Sequence, residues 1–507
     1  MKIRPFISLS LLVPVAAVPV HADSPGLFIA HFDHVLGTSF SVKLAAQSWA
    51  VARQAERSIL AEIDRLNAVL SSYRPDSEFS RWLAAPMGEA TVLSDDLFDV
   101  LSRFDSWRTQ TNGALNAAAE HIGQLWQKAA QSGQKPADTD LLRTVTEVGQ
   151  IHWQLDANAR TATRLTQTPL RLHTFVKSYI LDRAAETALN EPGLNGLVLN
   201  SGGDILVRGN WQESIAVANP RAYAENAAPL ARFFVQNQTV ATSGDYRRGT
   251  QIGREWVSHI MDPRTGLPAH AIISATVLHP DAVTAGALAT AFNVLAPSDS
   301  ASLAARLPGS EYLLVNRDGQ SITSAGWPGV AQPSSEVVPT PTLLTTVHLL
   351  SVPAKDKLWN PSQELLITVE LARFEGRSHR PFMAAWVEDE TGKPVRQLAL
   401  WYNKPRWLHE LREWYNLRID TGNAASVTSA TRSPGEYTLV WDGKDESGQF
   451  VKQGKYTVLI EAAREHGSYQ LMRQTMDFNG KVKQQPFNGN VEITAAALDY
   501  REKSAAH

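Results

Sequence analysis

The chain has 507 residues, with 48 Lys and Arg against 51 Asp and Glu and a formal charge of −3. That length exceeds what one hydrophobic core organises, so two or three domains are expected, and the near-neutral balance gives no reason to expect a nucleic-acid partner. Cysteine is absent, which excludes disulfides, thiolate chemistry, cysteine-ligated metals and a lipid-bearing cysteine.

Taken in chain order, the first element is a targeting pattern. Lys2 and Arg4 precede the apolar run ISLSLLVPVAAVPV, and small residues follow it. This predicts a signal peptide over 1–22 with a cut after Ala22. The run holds two prolines and is too short for a stable span. No later segment is long and apolar enough to cross a bilayer, so the mature chain is expected outside the cytoplasm, in the periplasm of a Gram-negative cell.

GLFIAHFDHVLGTSFSVKLAA alternates like two strands with a turn at Leu36-Gly37-Thr38. In the next segment Ile59, Ile63, Leu66 and Leu70 fall at helical spacing. SSYRPDSEFSRW reads as a polar loop, and SDDLFDVLSRFDSWRTQT as a helix capped by Ser94 or Asp95. TPLRLHTFVKSYILDRAAETALNEPG predicts a strand running into a helix. NGLVLNSGGDILVRGN predicts strand, glycine turn and strand, and further strands follow at ESIAVANP, ARFFVQNQTVATSGD and SATVLHPD. Thr284 opens a helix of small residues. Helices and strands without regular alternation imply an α+β unit over 23–325.

SAGWPGVAQPSSEVVPTPT, residues 324–342, reads as an extended linker, with its boundary set at 326–342. Beyond it, ELLITVELA, FMAAWVED, VRQLALWY, EYTLVWDG and KYTVLIEAARE are short alternating runs between turns, which predicts a β-sandwich over 343–500. WDGKDESG reads as a charged hairpin turn in preference to a calcium loop, and WYNKPRWLHELREWY as aromatic residues buried against the sandwich or as a docking face.

Chemistry concentrates in the first unit. LNSGGDI (199–205), VATSGDYRRG (240–249) and VSHIMDPRTGLPA (257–269) each place Gly, Asp, Ser, Thr or His where a strand ends. Taken singly, each is an ordinary turn. Together with LGT (36–38), SSYRPDSEFS (71–80), TNGA (111–114), Lys177 with Tyr179 and Asp182, and ALAT (287–290), they stand in a shared order. In that order the chain resembles the FAD:protein FMN transferase family, the ApbE-like flavin transferases, over roughly 30–325.

The resemblance implies an enzyme that binds FAD with Mg2+ on its pyrophosphate. A Thr or Ser hydroxyl of a membrane-associated acceptor flavoprotein is then expected to attack the FMN phosphorus, and AMP to leave. Carried over residue by residue, Leu36, Tyr73, Ala114, Leu115, Asn116, Arg171, Lys177 and Ile260 fall at flavin-nucleotide positions. His259 falls at the catalytic histidine and Asp262 is taken with it as a catalytic residue, while Thr174, Gly286 and Thr290 fall at the metal positions.

The chain also departs from the family. Where the family reads Asp-Leu-Gly-Gly-Ile-Ala-Lys-Gly, this chain has RLHTFVKS (171–178), and where it reads Gly-Ala-Phe-Asp, this chain has GALN (113–116). Where the family reads Ala-Asp-Ala-Leu-Ala-Thr, this chain reads AGALAT, so Gly286 stands in place of the metal carboxylate. Asp281 is expected to be a helix N-cap rather than a substitute ligand. A second reading follows from these losses: a transferase-like protein that binds flavin or a partner without transfer. EYTLVWDGKDESGQFVKQGKYTVLIEAAREHG resembles the Ig-like tail repeats of flagellar hook-capping proteins, which implies an Ig-like domain with a partner-binding role.

Overall fold

The computed structural model describes residues 26–328 and 357–503, apart from 223, 247–248, 254, 373–377, 380–381, 402–409, 418–425, 429–435, 464–467 and 490. The signal peptide at 1–22 and linker residues 329–342 lie outside the described residues.

The first unit is built on an antiparallel sheet. Its order is Ser321–Thr323, Glu311–Asn316, Ile272–His279, Thr239–Gly244, Asp204–Gly209, Leu194–Ser201, Thr38–Ala46, Gly26–Val35 and a short ninth strand, Ser378–His379, contributed from beyond the linker. The expected hairpin at 36–38 is present: Leu36 and Gly37 take φ of 51° and 74°, the left-handed pair that a tight hairpin needs. In Thr38–Ala46 every second residue is buried, as a strand with one face on a core requires.

One face of the sheet carries three packed helices. Helix Trp49–Leu70 buries Ile59, Ile63, Leu66 and Leu70, the residues whose spacing predicts it. It packs on helix Val176–Leu189, which in turn packs on helix Ala282–Val294. Helix Ala282–Val294 is buried nearly all round, and Asp281 caps it by accepting from Thr284 N at 2.7 Å. The opposite sheet face is covered by hairpin Glu213–Val217 and Ala231–Val235, whose Ile215, Val217 and Phe233 meet Val198, Ile205 and Val240. Burial on both faces explains why Ile272–His279 is almost continuously apolar and small.

Three expectations change. Residues 168–175 form loop and turn, not a strand, before helix Val176–Leu189. The SSYRPDSEFS loop is shorter than predicted, because Ser77 accepts from Ser80 N at 3.0 Å and starts helix Glu78–Ala84. The described start of the linker is docked: Trp327 is buried and meets the Phe233 ring edge-on at 5.2 Å.

The C-terminal unit holds two four-stranded antiparallel sheets. One has the order Glu436–Trp441, Gln363–Leu371, Ile493–Glu502, Lys483–Asn488. The other has the order Pro394–Trp401, Phe382–Glu388, Gly454–Ala463, Tyr469–Phe478. Both feed one apolar cluster around Trp359, Trp441, Phe478 and Tyr500. Five strands were expected; Tyr469–Phe478, Lys483–Asn488 and Ile493–Glu502 are additional. Their polar and charged residues, as in QLMRQTMD, blur the period-two pattern. In WDGKDESG, Asp445 Oδ1 accepts from Ser447 N at 2.9 Å and from Gln449 N at 3.0 Å, while Asp442 Oδ1 accepts from Lys444 N at 3.2 Å. Both carboxylates are therefore committed to the turn.

In the aromatic segment, residues 402–409 lie outside the described residues; Trp414 is buried and Tyr415 exposed. Fully buried Glu461 accepts from Glu413 N at 3.0 Å and Trp414 N at 2.9 Å, fixing the start of the five-residue helix Arg412–Asn416. Burial pushes the Glu461 carboxyl above its ordinary value, against the pull of those two N–H groups. The folded chain thus holds this proton more tightly than the unfolded chain. Its contribution to stability is present at low pH and is lost as pH rises through the raised value. Glu461→Gln is therefore expected to flatten the fall in denaturant midpoint between about pH 4.3 and neutrality, followed by Trp fluorescence. An unchanged slope would contradict this assignment.

Candidate active site

The first unit contains a cleft of about 630 Å3, a size suited to a cofactor or substrate. Its walls come from the turn after Gly26–Val35, the loop after helix Trp49–Leu70, the 114–116 loop, and the segment leading into helix Val176–Leu189. The ends of strands Asp204–Gly209 and Thr239–Gly244, the 259–261 loop and one face of helix Ala282–Val294 complete it. Sites of this kind form where strand ends meet helix starts, because loops there tolerate polar side chains while the sheet stays rigid.

Leu36, Tyr73, Ala114, Leu115, Asn116, Lys177, His259, Ile260, Thr174, Gly286 and Thr290, singled out from separate sequence blocks, all line this one cleft. Arg171 and Asp262 are not among the lining residues. The Arg171 guanidinium stacks over the exposed Tyr73 ring at 4.7 Å and donates to Ser72 O, with Glu120 at 4.0 Å. It clamps the cleft rim instead of reaching inward. Asp262 takes Arg264 bidentately, at 2.9 and 2.8 Å, and accepts from Arg264 N at 2.9 Å. It thereby shapes the turn that presents His259. Asn116 spends its amide on the backbone, donating to Val148 O at 2.9 Å and accepting from Ala118 N at 2.8 Å. That holds the 114–118 loop in place.

His259 is exposed and lines the cleft directly after strand Glu255–Ser258. Its neighbours are fixed: Ile260 N donates to Ser258 Oγ at 3.0 Å, and Met261 pairs with Pro268 across the turn. An imidazole on a rigid mount at a cleft wall can accept or deliver a proton.

Sequence reasoning did not select Ser178 or Asp204 as site residues. Asp204 follows the Gly202-Gly203 turn, where φ is 57° and 106°, a conformation that leaves the carboxylate at the strand mouth. It accepts from Ser178 Oγ at 3.1 Å and pairs with Lys177 Nζ at 3.7 Å, and the same ammonium donates to Ser201 O at 3.3 Å. The available signal was a carboxylate placed directly after a glycine pair at a predicted strand end. In the SGDYRR block Ser243 and Gly244 line the cleft, whereas Asp245 has a different role: burial pushes its carboxyl up, and Arg317, at 3.0 Å, partly offsets this.

The residues at the expected metal positions do not fit Mg2+. A hard dication needs several oxygen donors, usually including a carboxylate. Gly286 offers no side chain, and Thr290 Oγ1 donates back to Gly286 O at 3.4 Å. Glu120 and Asp204 are the carboxylates among the lining residues; one sits by Arg171 and the other is engaged by Ser178 and Lys177. Among the described residues there is no group of three or more His, Asp or Glu that could hold a metal ion.

Two family models match the chain. The ApbE family matches residues 36–314, and a family described as predicted periplasmic protein (DUF2271) matches 364–495. The chain is 28% identical over 305 residues to a FAD:protein FMN transferase of Haemophilus influenzae, covering 57% of this chain and 87% of that one. It is 27% identical over 271 residues to a protein of the same name from Vibrio cholerae, covering 51% and 79%. Among solved structures, the ApbE protein of Thermotoga maritima superposes with a TM-score of 0.53 at 24% identity, covering 59% of this chain and 97% of that one. The apo flavinyl transferase ApbE of Pseudomonas stutzeri gives 0.50 at 23%, covering 61% and 96%. With its matching blocks gathered around one cleft and the family model spanning more than half its length, the chain belongs to the ApbE family.

Proposed function

We propose that this chain is a FAD:protein FMN transferase that acts in the periplasm on a Thr or Ser hydroxyl of an acceptor flavoprotein. The observation that carries this reading is the convergence of the family's separate sequence blocks on the walls of one cleft. Relatives bearing the transferase name and the C-terminal match to a periplasmic family give it further support.

In this reading FAD lies along the cleft, with Leu36, Ala114, Leu115 and Ile260 giving apolar walls for the flavin and Tyr73 an aromatic rim held by Arg171. The Lys177 ammonium faces the pyrophosphate. The acceptor hydroxyl oxygen attacks the FMN phosphorus, its proton passes to His259, and the P–O bond to the AMP phosphate breaks. The products are a flavin phosphoester on the acceptor and free AMP. Asp262 acts through the turn that mounts His259, and Asn116 through the 114–118 loop. No step is assigned to a divalent cation.

The C-terminal unit is read as an Ig-like sandwich that engages a partner. No helix among the described residues is long and apolar enough to cross a membrane. A second reading, flavin binding without transfer, is favoured by Gly286, which removes the carboxylate from the cleft wall. FAD titration with an acceptor domain present separates the two. Transfer gives covalent flavin and AMP; binding alone gives a complex that denaturation dissolves.

A further inference from the structure

Helices Val176–Leu189 and Ala282–Val294 pack side by side beneath the cleft. An ideal Cβ built on Gly286 would collide with Ser178 Oγ, and it would stand 3.2 Å from Ser178 Cβ and 3.5 Å from Phe175 Cα. Ser178 is fully buried, and its hydroxyl is committed to Asp204 at 3.1 Å. The space a side chain at 286 would need is therefore occupied by a buried, hydrogen-bonded group. Moving Ser178 aside would also strip a donor from Asp204, which is 8% exposed.

The electrostatics follow from this packing. A carboxylate in this wall would repel a diphosphate unless a cation neutralised both, so ligand and ion are useful only together. With Gly286 no carboxylate stands at that position, and Ser178 fills the space. The charges that the same wall keeps are the Lys177 ammonium and the Asp204 carboxylate paired with it, the ammonium also donating to Ser201 O.

We propose that Ser178 and Gly286 are a coupled pair that closes the divalent-cation position, and that the cleft takes a dinucleotide diphosphate without a divalent ion. The second half rests on the reading of the cleft as an FAD site.

Two arms test this. The first uses Mn2+ alone, followed by the EPR signal of free Mn2+, on the full chain and on Gly286→Asp, Ser178→Gly and the double variant. The double variant is expected to bind Mn2+ at least about tenfold more tightly than the other three. Gly286→Asp alone is expected to lower the melting temperature, and adding Ser178→Gly to restore part of it, so the two changes are non-additive. Wild-type protein binding Mn2+ as tightly as the double variant, or strictly additive melting shifts, would overturn the pair. So would a double variant that gains no Mn2+ affinity.

The second arm titrates wild-type protein with FAD in EDTA and in Mg2+, read by flavin fluorescence. Affinities are expected to agree within about twofold. A tenfold loss in EDTA would overturn the cation-free half. No FAD binding in either buffer would remove the flavin reading and that half with it, leaving the Mn2+ arm to decide the Ser178–Gly286 pair on its own.

Discussion

His259→Ala is expected to cut the rate of flavin transfer by about 10²- to 10⁴-fold, the range that a positioned general acid or base contributes. FAD affinity is expected to stay within about threefold of wild type if, as proposed, the imidazole handles the acceptor proton and holds no nucleotide charge. The fold should be indifferent to the change. His259 is exposed, and its mount is made by backbone and by other side chains: Ile260 N on Ser258 Oγ, the Met261–Pro268 pairing, and Asp262 with Arg264. Exposed substitutions of this kind usually stay within about 0.5 kcal/mol. Single-turnover transfer with saturating FAD, beside thermal melts, checks both halves. A variant that transfers at the wild-type rate would remove His259 from the mechanism.

Lys177→Met is expected to act differently, weakening FAD binding by about 10- to 100-fold through loss of a charge-assisted contact to phosphate. It should also cost stability, since Asp204 would keep the Ser178 donor but lose its ion pair at 3.7 Å. Breaking a largely buried pair by removing one partner leaves an uncompensated carboxylate. Lys177→Met with Asp204→Asn is expected to recover stability without recovering FAD affinity. Fluorescence titration and melting curves on the three proteins separate the two effects. Unchanged FAD affinity in Lys177→Met would show that the ammonium serves the fold alone.

Much of the architecture was legible because periodicity and caps reported it locally. The Ile59, Ile63, Leu66, Leu70 stripe gave helix Trp49–Leu70, Ser94 is the cap of helix Asp95–Gln110, and Asp281 caps helix Ala282–Val294. The segment before Lys177 misled because LRLH (170–173) alternates apolar and polar residues like a strand. In the fold its backbone is drawn into turns instead: Arg171 N donates to Ala117 O at 2.8 Å and Leu172 N to Ser72 Oγ at 3.0 Å. These partners lie far away in sequence, so no local pattern reveals them. The last three C-terminal strands were missed for a related reason. In Ile493–Glu502 the exposed positions include Ala495 and Ala497, and Tyr469–Phe478 buries the polar Gln470, so the apolar and polar residues do not sort cleanly by face.

The candidate site was legible as a set of positions, not as a set of roles. Separate blocks converge on the cleft, yet Asn116, Arg171 and Asp262 turn out to spend their polar atoms on the scaffold. The loss of a carboxylate at 286 was visible in AGALAT. The serine that fills its space lies 108 positions earlier, in a neighbouring helix, and only the packing connects Ser178 with Gly286.

The most direct test of flavin transfer is intact-protein mass spectrometry on a Thr-containing acceptor domain incubated with this chain and FAD, with AMP release followed in parallel. The account predicts an acceptor heavier by one FMN less water, AMP in equal amount, and both products persisting in EDTA. An acceptor of unchanged mass under conditions where FAD is shown to be bound would contradict it.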